Sequence, residues 1–199
     1  MKGAMKMFEL QHCGTQVIET ERLILRPYTV CDAEDMYQNW ASSDEVTRYL
    51  TWPTHADSEA TRKLLELWVE NYQNPAVYHW GITLKGSNTV IGDISVVHMN
   101  EKTAAAELGW CMGQAWWGKG IMPEAALAVR DYLFDRVGFH RVEARHDKNN
   151  PKSGRVMQKI GMQYEGTQRA SDIHNQGICD NEKSLLRIGS HYRRTDRWR

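Results

Sequence analysis

Trp117-Gly118-Lys119-Gly120-Ile121 is a glycine turn set between a strand-like run at 104–112 and an amphipathic helix. Downstream, Met122, Ala126, Val129, Leu133 and Val137 recur at helical spacing and form one apolar stripe. Pro123 suits the first turn, where a missing N–H costs nothing, and Gly138 stands where a C-terminal cap falls. A strand, a glycine turn and a helix N-terminus make an anion site. The glycines let a phosphate approach the backbone, and unpaired N–H groups with the helix dipole favour its charge. Two readings stand on this stretch alone: a turn that binds a phosphate-bearing cofactor, and a tight turn with no ligand. Neither Gly-x4-Gly-Lys-Ser/Thr nor Gly-x-Gly-x-x-Gly fits, since Glu124 and Ala125 follow, so a nucleoside triphosphatase and a dinucleotide dehydrogenase lose ground.

Working outward, 199 residues suit one domain with a single sizeable core. Lys plus Arg balance Asp plus Glu, 25 against 25, so no global field points to nucleic acid or a membrane as partner. No apolar run approaches the roughly 20 residues of a membrane span, and residues 1–16 lack the apolar stretch of a secretory signal. Cys13, Cys31, Cys111 and Cys179 are scattered without paired spacing, which argues against a disulfide framework and for a reducing, cytoplasmic setting. The eight histidines form no His-x3-His pattern, so no metal site is expected.

The remaining chain reads as alternating short elements. Residues 20–28 alternate as a strand, with Leu23 and Leu25 against Arg22, Ile24 and Arg26. Asp32 is placed to cap a helix through Trp40, and Asp57 or Ser58 a second through Tyr72. Strands follow at 77–84, 90–98 and 103–112, separated by turn residues at 86–88 and 100–102. After the long helix come a strand at 141–146, a short helix at 151–160, and strands at 162–169 and 183–189. Asn150 is placed to cap the short helix, Pro151 takes its first position and Gly161 ends it. No linker or repeat divides the chain, which predicts one α/β domain. On the short helix, Ser153 shares a face with Val156, Met157 and Ile160, so its hydroxyl either bonds a local carbonyl or faces a cleft.

Several motifs, in order, carry a resemblance. Glu107-Leu108-Gly109-Trp110, Trp117-Gly118-Lys119-Gly120 with Glu124-Ala125, Asn150-Pro151-Lys152-Ser153, Lys159-Ile160-Gly161-Met162 and Tyr164-Glu165-Gly166 resemble the GNAT acyltransferase superfamily. With the opening Thr20-Glu21-Arg22-Leu23-Ile24-Leu25-Arg26, the pattern is most similar to the branch of bacterial ribosomal-protein N-terminal acetyltransferases. It covers residues 17–189, leaving an N-terminal extension at 1–16 and a basic tail at 190–199. The resemblance implies a single α/β (α+β) domain. Its mixed, mostly antiparallel seven-stranded sheet splays between the fourth and fifth strands and is flanked by about four helices.

In that fold acetyl-coenzyme A lies in the splay as co-substrate, with no metal. Mapped here, backbone N–H groups of Trp117, Gly118, Lys119, Gly120 and Ile121 would take the pyrophosphate. Cys111 and Met112 would pair with the pantetheine amide, and Asn150 and Ser153 would sit near the thioester. Two positions depart from the family pattern. Ala115 stands where Gln or Arg is common, and Met157 stands where many relatives place a proton-donating tyrosine, which passes that role to Ser153 or to water.

An acceptor amine is mostly protonated at pH 7, so a base or a water chain must remove one proton. Glu107 is the candidate, because strand alternation turns it away from Leu108, Trp110 and Met112; the alternative is an ion-paired or solvated strand residue. Cys111 reads as a structural cysteine, with direct transfer to the amine expected. The acceptor is a protein N-terminus, or alternatively a small-molecule amine, and a non-catalytic acyl-coenzyme A sensor is the reading from another class. Trp40, Tyr49, Trp52, His79 and Trp80 are candidates for the acceptor wall or for the core. The tail at 192–199 is basic with two aromatics and reads as a solvated terminus rather than an RNA contact, and the chain fits a monomer or a homodimer.

Overall fold

The alternation at 22–26 builds a strand with one buried edge of side chains: Leu23 and Leu25 are fully buried, while Ile24 and Arg26 are half-buried. The structure, a computed structural model, describes residues 9–187. This strand is β2 (Leu23–Arg26), and a two-residue strand before it, β1 (Ile18–Glu19), pairs with it antiparallel. The others are β3 (His79–Leu84), β4 (Val90–Asn100), β5 (Ala105–Met112), β6 (Arg141–Asp147), β7 (Gln163–His174) and β8 (Gly177–Arg187). They form one open sheet in the order β1-β2-β3-β4-β5-β6-β8-β7. Every neighbouring pair is antiparallel except β5 and β6. Among the described residues the sheet thus has eight strands rather than seven, the addition being β1, which is too short to show a period.

Without β1, the parallel pair is the fourth and fifth of the expected seven strands, and there the sheet opens. Pairing runs from Ala105 opposite Arg141 to Leu108 opposite Ala144 and stops. Beyond that point β5 stays with β4 as far as Met112, and β6 stays with β8 as far as Asp147.

Among the described residues five α-helices flank the sheet: α1 (Ala33–Met36), α2 (Asp44–Thr47), α3 (Ser58–Asn71), α4 (Ile121–Tyr132) and α5 (Pro151–Lys159). The single helix expected from Asp32 to Trp40 is broken. A wide π turn at Tyr37–Ala41 follows α1, and α2 starts afresh. Asp32 stands at the start of α1 but does not cap it. Its carboxylate accepts from the Thr29 N–H at 2.7 Å and from both Arg26 Nη atoms at 2.7 and 2.8 Å. Asp57 does cap α3, accepting from Ala60 N–H at 2.8 Å. A π turn at Leu133–Val137 continues α4 and ends at Gly138, and Gly161 follows α5, at φ +92° and +83° as their positions predict.

Two apolar clusters form around the sheet. One joins Leu108, Val142 and Trp80 to α4 through Val129 and Tyr132; the other joins Tyr28, Met36, Trp40, Leu65 and Val90. Trp80 is fully buried in the first, its indole N–H bonded to the Gln16 carbonyl, so it is a core residue rather than part of an acceptor wall. Among the described residues no helix is long and apolar enough to cross a membrane. The basic tail and residues 1–8 lie outside the described residues.

Candidate active site

The glycine turn sits at the mouth of the splay. Gly118 and Gly120 adopt φ of +76° and +74°, a region that L side chains avoid, and Gly120 is the residue before α4. A Cβ on Gly118 would meet nothing within 4 Å, so the space over the turn is open. Ile121 and Met122 begin α4 with amides that the helix itself cannot pair, and Pro123 has none to offer. Behind the turn, the Trp117 indole N–H donates to the Met112 carbonyl at 2.7 Å, and the Lys152 ammonium lies 3.8 Å over the Trp117 ring. Positive charge and open amides face the same space, which fits the pyrophosphate of an acyl-coenzyme A.

From this mouth a cleft of about 1220 Å³ runs between β5 and β6 to the face covered by α1–α3. It brings together Glu107, Cys111, Met112, Trp117, Gly118, Gly120, Ile121, Asn150 and Ser153. Lys119 does not line it, and its carbonyl instead accepts from Arg22 Nη1 at 3.1 Å.

Strand alternation decides which amides face the opening. The Ala104 carbonyl accepts from Arg141 of β6, and the Met112 carbonyl faces the same side to meet Trp117, so even-numbered residues of β5 present their peptide groups toward β6. Above Leu108 those groups belong to Trp110 and Met112. The peptide groups of Cys111 face β4, so only its side chain reaches the cleft, and the peptide groups of Trp110 face the opening instead. Sequence patterning missed Trp110 because its apolar side chain reads simply as core.

Asn150 occupies the N-cap position of α5 without capping it. Its amide nitrogen lies 3.4 Å from Ser153 Oγ instead, which leaves the pair together on the cleft wall. Met157 and Ile160 are buried in the core, whereas Ser153 lines the cleft beside Val156, so the face the sequence treats as one is split between core and site.

Glu107 is nearly buried, and its Oε1 accepts from Arg145 Nε at 2.7 Å. The hydrogen bond that Arg145 donates to this carboxylate raises its own pKa above the ordinary value. Burial pushes the Cys111 thiol well up, and the nearby Asp93 carboxylate adds to the rise, so the sulfur stays protonated and is a poor nucleophile. The four cysteines are free.

Asp147, His174 and Cys179 bring ligand atoms within 4.8 Å of one another at the far end. The arrangement does not fit a metal. His174 Nδ1 accepts the Gln176 N–H at 3.0 Å, so Nε2 carries the ring proton and donates it to Asp147 at 2.6 Å. A metal on Nε2 would force the proton onto Nδ1, against that N–H.

The fold and the cleft define an acyltransferase of the kind that the motifs resemble. The family model described as an acetyltransferase (GNAT) domain matches residues 22–163, and the chain belongs to that family. It is 32% identical over 153 residues to the uncharacterized N-acetyltransferase YoaA of Bacillus subtilis (strain 168), covering 77% of this chain and 86% of that protein. It is 24% identical over 155 residues to the [ribosomal protein uS5]-alanine N-acetyltransferase of Escherichia coli (strain K12), covering 75% of this chain and 79% of that protein. The crystal structure of a GNAT-family acetyltransferase from Bacillus anthracis superposes with a TM-score of 0.75 at 27% identity, covering 86% of this chain and 98% of that one.

Proposed function

We propose that the chain moves an acetyl group from acetyl-coenzyme A directly to an acceptor amine, and that the amine is a protein N-terminus. The single observation that carries the reading is that the open glycine turn, Ser153 and Glu107 share one cleft. A cofactor sensor needs the turn but has no use for a hydroxyl and a carboxylate at its far end. Acetyl-coenzyme A supplies the activated thioester. The chain supplies amides of Ile121 and Met122 for the phosphates, and amides of Trp110 and Met112 for the arm and for developing negative charge on oxygen. Losing one donor of that last kind costs about 10²–10³ in rate. Ser153 is a hydroxyl donor for a departing thiolate, and Asn150 orients it. The protonated state of Cys111 supports direct transfer over an acetyl-cysteine route.

Glu107 contributes negative charge where a cationic amine arrives. Taking up a proton itself would cost it the ion pair with Arg145. The protein N-terminus is favoured over a small-molecule amine by the relative named for uS5-alanine acetylation. Four free cysteines suit a reducing, cytoplasmic setting. A thiol-release assay with acetyl-coenzyme A against N-terminal peptides, polyamines and aminoglycosides tests the reading, with calorimetry of cofactor binding alongside. Turnover on peptides is the expected result. Turnover on polyamines or aminoglycosides alone would move the acceptor to the small-molecule class, and cofactor binding without turnover on any amine would favour the sensor.

A further inference from the structure

Two histidines of the cleft are paired with buried or nearly buried aspartates, His174 with Asp147 and His79 with Asp93. The pairs differ in the other ring nitrogen. His174 spends its Nδ1 on the Gln176 N–H, so its ring has no lone pair left. His79 Nε2 lies 2.5 Å from Asp93 Oδ2, and among the described residues its Nδ1 has no hydrogen-bond partner. With the proton on Nε2, held by the carboxylate, Nδ1 keeps a free lone pair.

The surroundings hold this ring in place. Trp68 lies 4.0 Å from it centroid to centroid, and Tyr28 meets it edge-on at 5.4 Å. The Tyr28 hydroxyl donates to the same Asp93 oxygen at 3.0 Å. The His79 N–H donates to Thr15 Oγ1 at 2.9 Å, and its carbonyl accepts from Tyr72 at 2.8 Å. The two side chains are 14% and 12% exposed. In register, Asp93 stands opposite Cys111, so the pair shares the sheet face of Cys111 and Glu107. A buried His and Asp stabilise a fold no better than apolar residues of the same volume, so a wall built from them points to chemistry.

We infer that His79, oriented by Asp93, takes the proton from the acceptor ammonium, while Glu107, held by Arg145, draws that ammonium into the cleft. The inference rests on the acetyltransferase reading. The ammonium gives one proton to Nδ1, leaving a neutral amine and an imidazolium that Asp93 stabilises. The new N–C bond forms as the C–S bond breaks. The second amine proton leaves with the thiolate through the Ser153 hydroxyl, and His79 returns its own to water. One ammonium and one thioester become one amide, one thiol and one proton. The titratable groups facing the pair are Tyr28, Tyr72 beyond α3 and Cys111 of β5, none of them a competing base while protonated.

The test compares His79→Gln and Asp93→Asn with the wild-type chain by calorimetry of acetyl-coenzyme A binding, by kcat/KM against pH, and by the ¹⁵N signals of the histidine rings. Cofactor binding is expected to stay unchanged. His79→Gln lowers kcat/KM about 10²–10⁴-fold and removes the acid limb of the profile. Asp93→Asn lowers it roughly tenfold or more, since the ring loses the carboxylate that orients it and holds its tautomer. The ¹⁵N signals are expected to show the Nε2-protonated tautomer of His79 in the wild type and its loss in Asp93→Asn. Being nearly isosteric, Asp93→Asn keeps the test open where His79→Gln does not fold. A His79→Gln variant within twofold of an active wild type, or a wild-type ring protonated on Nδ1, overturns the inference alone. A wild type that acetylates no amine overturns the function and this inference together.

Discussion

Arg22 and Glu124, 102 residues apart in sequence, are clamped together behind the glycine turn. Arg22 Nε donates to Glu124 Oε2 at 2.6 Å, the Arg22 backbone N–H donates to Oε1 at 3.0 Å, and Thr20 Oγ1 donates to the same oxygen at 2.6 Å. Arg22 Nη1 reaches on to the Lys119 carbonyl. The clamp ties the loop between β1 and β2 to the first turn of α4, and so sets the turn's position against the sheet.

Arg22→Ala is therefore expected to weaken acetyl-coenzyme A binding several-fold by loosening the turn, while costing less than about 1 kcal/mol of stability, because Arg22 is half-exposed. Calorimetry and thermal melts on the same sample separate the two. Equal binding by variant and wild type would make the clamp a surface ion pair only.

Alanine at Gly118 or Gly120 tests the turn itself. Each φ is left-handed, so either substitution costs about 1–2 kcal/mol in backbone strain. At Gly118 the new Cβ meets no protein atom, so any larger loss of cofactor affinity measures the methyl group's intrusion on the ligand. Affinity is expected to fall more than stability.

Ser153→Ala is expected to reduce kcat while leaving acetyl-coenzyme A binding nearly unchanged, since the hydroxyl's partner is Asn150 and not the cofactor cradle. An unaltered turnover number would take Ser153 out of the reaction.

Stability should fall with acid in two stages. Burial lowers the pKa of His55 and of His146, and nearby carboxylates only partly offset it. The unfolded chain then binds more protons, so this stability is complete above about 6.5 and declines as pH falls below it. For Asp32, Asp147 and Glu124, burial alone would raise the pKa. Hydrogen bonds from Arg26, His174 and Thr20, with others, outweigh it and leave all three lowered. Their stability is complete above roughly 4 and is lost as pH falls through the folded values. Melting temperatures from pH 8 to 3 should show a shallow decline below 6.5 and a steep one below 4. A His55→Gln, His146→Gln double variant that keeps the shallow stage would contradict the assignment.

Much of the site was legible because local rules govern it. The glycine pair, Pro123, Gly138, Asp57 and Gly161 act within one turn of chain, and spacing alone reveals them. Asp32 and Asn150 show the limit of such rules. Each sits where a cap belongs, yet Arg26 claims the first and Ser153 lies beside the second, and neither partner follows from helix periodicity. Trp80 and Tyr49 are equally plausible aromatics in sequence, but one is sealed beside Tyr132 and the other lines the cleft. Which face an aromatic meets is a property of the packed sheet.

By itself, the sequence determined the order of the seven longer strands and of α3–α5, the glycine turn at 117–121 and the family pattern, because turn conformation, caps and periodicity depend on residues a few positions apart. Tertiary structure alone decided where β5 leaves β6, that Arg145 takes Glu107, and that His79 meets Asp93 across a sheet with its second nitrogen free. Those relations join residues on different strands, 14 positions apart for His79 and Asp93 and 38 for Glu107 and Arg145. They depend on strand register and on which buried polar atoms find partners, and no local pattern encodes either.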